Sequence, residues 1–220
     1  MSITRRDILA GAAGFGLAGT AGGAILLGRD RAGGSGGDKS AAAAEMSTDE
    51  VLRDPDNPVL GNPEGALTIV EYFDYQCPYC KMGHAMLTDV VAKDGDIRLV
   101  MKDWPIFGAP SVLASQLVLG AASMGDYAQA HAALMATEAR LTEDQIRQVL
   151  GDGGIDTAAA LAAYRAERGK WDGLLARNSA QAAALGLRGT PAFIIGKTIY
   201  PGALDETRLR GAIAEARRTS

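Results

Sequence analysis

The chain holds two cysteines, both in one short motif, Cys77-Pro78-Tyr79-Cys80. A pair at this spacing can make and break a single disulfide. The motif follows a β-type run and opens a helix-type run. A thiolate at a helix start meets free backbone amides and the positive end of the helix dipole. That predicts a lowered pKa for Cys77 and makes it the attacking sulfur. Cys80, one turn in and expected to be the more buried of the two, would resolve a mixed disulfide. The same spacing is also half of a zinc site, which would need two further ligands. Only His84 and His131 are present as histidines. Structural zinc sites usually use paired knuckles, which this chain lacks, so no metal is expected, and no cofactor.

Two other features bear on this chemistry. Gly189-Thr190-Pro191 directly precedes a short apolar run. A proline there cannot serve a sheet ladder, and a cis bond would make a turn. Glu71 lies six residues before Cys77, inside an otherwise apolar run. A buried carboxylate costs free energy unless it is paired or used. Beside a dithiol it could relay protons to Cys80. The other reading is an outward-facing edge residue. Met82 and Met86, four apart, could line a groove for unfolded peptides, although core packing is the commoner role. Lys102-Asp103 reads as a surface pair, His84 as a solvated or core histidine, and Trp104 and Trp171 as packing residues.

The elements that must position these residues are legible in the pattern. Leu67 to Phe73 is β-branched and aromatic and predicts a buried strand. Cys77 to Lys93 predicts a helix with Pro78 in its first turn, and Ile97 to Lys102 predicts a second strand. The pattern from Pro110 to about Gly186 is helical. Gly125 can end one helix there, and Thr142 with Gln145 can form a capping box, with Leu141 and Ile146 as a hydrophobic staple. Asp156 can cap the next helix, and Gly169 can close it. Ala192 to Ile195 and Thr198 to Tyr200 predict a hairpin around Gly196-Lys197. Asp205 opens a last helix to about Arg217. The order predicts a compact α/β unit with a helical insertion at about 110–186.

The 220-residue chain suits one domain plus an appendage. A net charge of -4 leaves no basic surplus for a nucleic-acid partner. With no cysteine to spare, the core must be held by packing rather than by structural disulfides. Thr4-Arg5-Arg6-Asp7-Ile8-Leu9 resembles a twin-arginine export signal, and a weakly apolar, glycine-rich stretch follows it to Leu27. Residues 1–28 are thus expected to be a cleaved signal or an N-terminal membrane anchor. Residues 29–57 are expected to be a flexible linker, with a short helix at 47–53. The folded body is expected over 58–218, outside the cytoplasm and in the periplasm.

The stretch from Gly61 to Cys80, with Glu71-Tyr72-Phe73-Asp74-Tyr75-Gln76 leading into the cysteines, resembles the start of DsbA-family thioredoxin-fold proteins. Gly189-Thr190-Pro191-Ala192-Phe193-Ile194-Ile195-Gly196 with Tyr200-Pro201-Gly202 resembles their cis-proline hairpin. The resemblance implies a thioredoxin-like α/β fold with an inserted helical subdomain. It implies Cys77 as nucleophile, Cys80 as resolving thiol, and Pro191 as a cis proline facing the disulfide. It also implies Thr190 as a backbone contact for substrate peptide, and it matches Glu71 to the family's buried acid. The function implied is a dithiol oxidase acting on unfolded or partly folded exported proteins with cysteines, re-oxidised by a membrane redox partner. Pro-Tyr between the cysteines and Thr before the proline occupy positions that tune redox poise. A reductase or isomerase of the same fold is the alternative. A non-enzymatic interaction protein or chaperone is the third reading.

Overall fold

The computed structural model describes residues 48–219. The export-type segment, the glycine-rich stretch behind it and the expected linker up to residue 47 lie outside the described residues. The body begins at α1 (Thr48–Leu52) and continues with β1 (Val59–Gly61), β2 (Leu67–Phe73), α2 (Pro78–Asp94) and β3 (Ile97–Asp103). Five helices follow: α3 (Ala109–Ala122), α4 (Tyr127–Met135), α5 (Glu143–Asp152), α6 (Thr157–Ala166) and α7 (Arg168–Ala184). The chain then returns through β4 (Ala192–Ile195), β5 (Thr198–Pro201) and α8 (Glu206–Arg218). Among the described residues no helix is long and apolar enough to cross a membrane.

The strands form one sheet in the order β1-β3-β2-β4-β5. Parallel pairing of β2 with β3 requires a crossover, which α2 supplies. The pairs β1–β3, β2–β4 and β4–β5 are antiparallel. Alternation along the strands gives the sheet two different faces. Leu67, Ile69, Phe73, Leu99, Met101 and Phe193 join α2, α8 and the first helices of the insertion in one continuous core. Tyr72 and Lys102 point the other way, toward Gln181 on α7.

Several sequence expectations change here. No strand is expected before Leu67, yet β1 forms and pairs with β3. Residues 48–57 fall in the span expected as linker, but they are folded. Val51 is fully buried, and Asp54 takes two hydrogen bonds from Arg177 of α7 at 2.7 and 3.1 Å. Gly169 does not close a helix; it lies in the first turn of α7, and α6 already ends at Ala166. Lys102 and Asp103 are not a surface pair, since both are buried. The capping box at Thr142 and Gln145 and the caps at Asp156 and Asp205 form as expected.

Helix packing in the insertion depends on one missing side chain. Gly120 of α3 lies so close to α6 that an added Cβ would overlap the Ala160 carbonyl and press on Tyr164. Glycine normally weakens a helix by about 1 kcal/mol relative to alanine. Here contact outweighs propensity. Gly120→Ala is expected to destabilise the protein by about 1 to 3 kcal/mol in chemical denaturation, the range for overpacking. A stabilised variant would show that the two helices do not meet at this point.

Candidate active site: a dithiol at a helix start

The site is built where β2 runs into α2. Cys77 is the N-cap of α2, with extended backbone angles, and its side chain makes no capping bond. Pro78 occupies the first turn, where its missing N–H costs nothing. The amides of that turn are left for the Cys77 sulfur. Cys77 Sγ also lies 3.2 Å from the Thr190 carbonyl oxygen, to which the thiol donates. The Thr190–Pro191 bond is cis. Cys77, Cys80, Thr190 and Pro191 are thus brought together from the two ends of the fold.

Both thiols are closed to solvent, and Cys80 lies deeper in the packing than Cys77, as expected, so burial weighs more heavily on it. Electrostatics separates them further. The Cys80 thiol donates to Cys77, and this bond is the largest of the influences that hold the Cys77 pKa down to about 6. Burial opposes it, while the Thr190 side chain and the amides of Cys80 and Tyr79 assist it. The Thr190 hydroxyl is buried beside the dithiol and has no hydrogen-bond partner. Burial pushes Cys80 far above the ordinary thiol range, and its bond to Cys77 and the Glu71 charge add to the rise.

Glu71 is not an edge residue. It sits on the central strand β2, opposite Met101 on one side and Phe193 on the other. It is 2% exposed, and its Oε2 has no hydrogen-bond partner. Burial first, then the Cys77 charge, raises its pKa to about 8. Glu71, Cys80, Pro191 and Phe193 line a cavity of about 10 Å3, room for roughly one water molecule. Lys102 does not neutralise Glu71, because its side chain lies on the opposite face of the sheet. There Gln181 Oε1 accepts from Lys102 Nζ at 2.9 Å.

Residues that the sequence reading passed over hold the site in place. The Asp74 carboxylate accepts from the amides of Gln76 (2.7 Å), Ile106 (2.6 Å) and Phe107 (3.2 Å) and from the Ser111 hydroxyl (2.7 Å). It pins the approach to the cysteines against the loop after β3. The Gln76 side chain exchanges two hydrogen bonds with the Leu141 backbone. Lys81 Nζ donates to Thr137 and to the Ala139 carbonyl, securing the segment between α4 and α5. Asp before a helix is a turn former, which is the one sequence signal for Asp74; nothing in the pattern marks Gln76. Buried His131 accepts or donates at Tyr75 through Nδ1 at 2.9 Å and meets the His84 ring at 4.9 Å. Among the described residues no group of three or more His, Cys, Asp or Glu is gathered to hold a metal ion. Tyr79 and Met82 stand exposed on the first turns of α2, whereas Met86 is half-buried.

Residues 68–214 match the family model described as a DSBA-like thioredoxin domain. The chain belongs to that family. It is a thiol–disulfide oxidoreductase by class. A thioredoxin-like oxidoreductase from Silicibacter pomeroyi DSS-3 is 35% identical with a TM-score of 0.75, covering 80% of this chain and all of that one. The thiol-disulfide exchange protein alpha-DsbA2 from Wolbachia pipientis is 25% identical with a TM-score of 0.70, covering 76% of this chain and 90% of that one. A periplasmic thioredoxin-like protein from Salmonella enterica serovar Typhimurium is 29% identical with a TM-score of 0.66, covering 76% and 94%. A curated relative, the Na(+)/H(+) antiporter NhaA 3 of Salinispora tropica, is 24% identical over 166 residues. That match covers 74% of this DSBA-like chain but only 25% of the antiporter.

The buried acid has a pH signature. Its folded pKa, about 8, lies above the ordinary 4.5. Below 4.5 both folded and unfolded chains hold the proton, and there is no penalty. Between 4.5 and 8 the unfolded chain releases it and the folded chain does not, so stability falls as pH rises. Glu71→Gln is expected to remove this loss. In denaturation of the reduced protein the variant should match the parent near pH 4 and exceed it by about 2 to 4 kcal/mol near pH 9. Parallel pH profiles for the two proteins would contradict the assignment.

Proposed function

We propose that this DSBA-like protein is an exported dithiol oxidase that passes the Cys77–Cys80 disulfide to cysteine-bearing proteins outside the cytoplasm. The observation that carries the reading is the division between the two thiols, Cys77 lowered to about 6 and Cys80 raised. In the oxidised protein a substrate thiolate attacks Cys77 Sγ, the Cys77–Cys80 bond breaks, and Cys80 leaves with the electron pair. Cys80 cannot rest as a thiolate in its buried position and takes a proton. Glu71 is protonated at neutral pH and shares a water-sized cavity with Cys80. It supplies that proton. A second substrate thiolate then attacks the substrate sulfur of the mixed disulfide. Cys77 departs as a stabilised thiolate, a good leaving group. The substrate loses two electrons and the protein gains them. A membrane redox partner would remove them again.

Thr190 and Pro191 border the dithiol and would support an extended substrate segment through backbone contacts. The exposed Tyr79 and Met82 beside it suit apolar stretches of unfolded chains. Export draws on Arg5-Arg6 and the glycine-rich stretch behind them. The periplasmic relative supports the same location. A reductase or isomerase is the second reading. It is favoured by a Cys77 pKa of about 6, well above that of the most oxidising pairs, near 3.5.

The equilibrium reduction potential of the full chain in glutathione buffers tests the proposal. Within this fold a nucleophile pKa near 7 accompanies about -270 mV and one near 3.5 about -120 mV. At roughly 30 mV per pKa unit, the value expected here is about -240 to -195 mV. The oxidised chain should then oxidise a reduced two-cysteine peptide, and Glu71→Gln should slow the first step by about tenfold or more. A potential at or below about -270 mV would reverse the direction and favour the reductase.

A further inference from the structure

The helical insertion carries a second concave site with a different chemistry. Arg147 of α5, Arg165 of α6 and Arg168 of α7 line one pocket of about 290 Å3. Gln116 and Tyr164 add polar groups, and Leu113 with Leu161 adds an apolar wall. None of these residues lines the cavity beside Glu71 and Cys80.

The arginines are not simply balanced by neighbours. Arg147 and Arg165 have no acidic partner within salt-bridge distance among the described residues. Arg168 has one, but the bond orients it. Its Nε donates to Asp172 at 2.8 Å, and the same carboxylate accepts from the Tyr164 hydroxyl at 2.5 Å. Tyr164 is buried and anchored in the core of the insertion. The terminal nitrogens of Arg168 remain for another acceptor. Three cations and one shared carboxylate leave a local surplus of positive charge in a chain whose net charge is -4. Guanidinium groups in this number favour planar, multidentate oxyanions over single charges.

We propose that this pocket binds a phosphate-type oxyanion that carries an apolar group. The arginines and Gln116 would hold the anion, and Leu113 and Leu161 would contact the apolar part. The anion could be a soluble phosphate ester or the headgroup of an anionic lipid.

Phenyl phosphate titrated into the full chain at low ionic strength tests this, with amide chemical shifts as readout. Saturable shifts at Gln116, Leu161 and Tyr164 are expected, fading with added salt and absent with neutral benzyl alcohol. Arg147→Gln and Arg165→Gln should each weaken binding by about tenfold, as loss of a charge-assisted contact does. Arg208→Gln, an exposed arginine on α8, should leave it unchanged. A second arm uses vesicles of phosphatidylcholine with and without phosphatidylglycerol. Binding to the anionic vesicles that the Arg147→Gln/Arg165→Gln double variant loses would assign the ligand to lipid. Saturable phenyl phosphate binding without vesicle binding would assign it to soluble esters. Circular dichroism and melting curves establish that the exposed-arginine variants fold. The proposal is overturned if neither probe binds, or if Arg208→Gln loses as much as the pocket variants. The arginines would then be a solvated charged face only.

Discussion

Everything at this site depends on one sulfur held as an anion at the start of a helix. The Cys77 thiolate is favoured by the thiol of its own partner, by the amides of the first turn of α2 and by the nearby Thr190 side chain. The first two come from α2 itself, and the third requires the helix start and the loop before β4 to meet. The sheet order brings them together, since β2 lies between β3 and β4. Asp74 then fixes the junction by collecting three backbone amides and a serine hydroxyl. The insertion is tied to the same junction through Gln76 and Lys81. It frames the redox site and is part of its support.

The sheet also separates two buried charges of opposite sign. Glu71 shares its face with the dithiol, where it has no cation to pair with and is held protonated at neutral pH. Lys102, one position further along the neighbouring strand, emerges on the other face. There Gln181 Oε1 and Asn178 Oδ1 accept from its Nζ. Had the two shared a face, the lysine would have favoured the ionised acid, which could not serve as the proposed proton donor to Cys80. A buried unpaired carboxyl is a cost in stability. The proposed proton transfer to Cys80 would account for that cost.

Much of this was legible in the sequence. The cysteine motif, the strand before it and Pro191 before an apolar run located the site, because their signals are local in the chain. Glu71 stood out because a carboxylate interrupted an apolar strand, although only the register of β2 between two neighbours shows it to be buried. The pattern could not reveal Lys102-Asp103 as buried, since Asn178 and Gln181, which cover Lys102, lie more than seventy residues on, and Asp103 turns to the other face, toward Ser115. The same holds for residues 48–57, whose polar, turn-rich composition reads as linker. The partner that orders them, Arg177, is distant in sequence. Asp74, Gln76 and Lys81 look like ordinary polar residues until their partners are in view.

The most direct test is the pH dependence of Cys77 alkylation in the reduced full chain, compared with Cys80→Ala. Thiolate at the helix start predicts a midpoint near 6 in the parent protein. Loss of the Cys80 thiol, the largest stabilising contact, should move that midpoint upward. A parent midpoint near the ordinary thiol value, about 8.5, or one that Cys80→Ala leaves in place, would contradict the account.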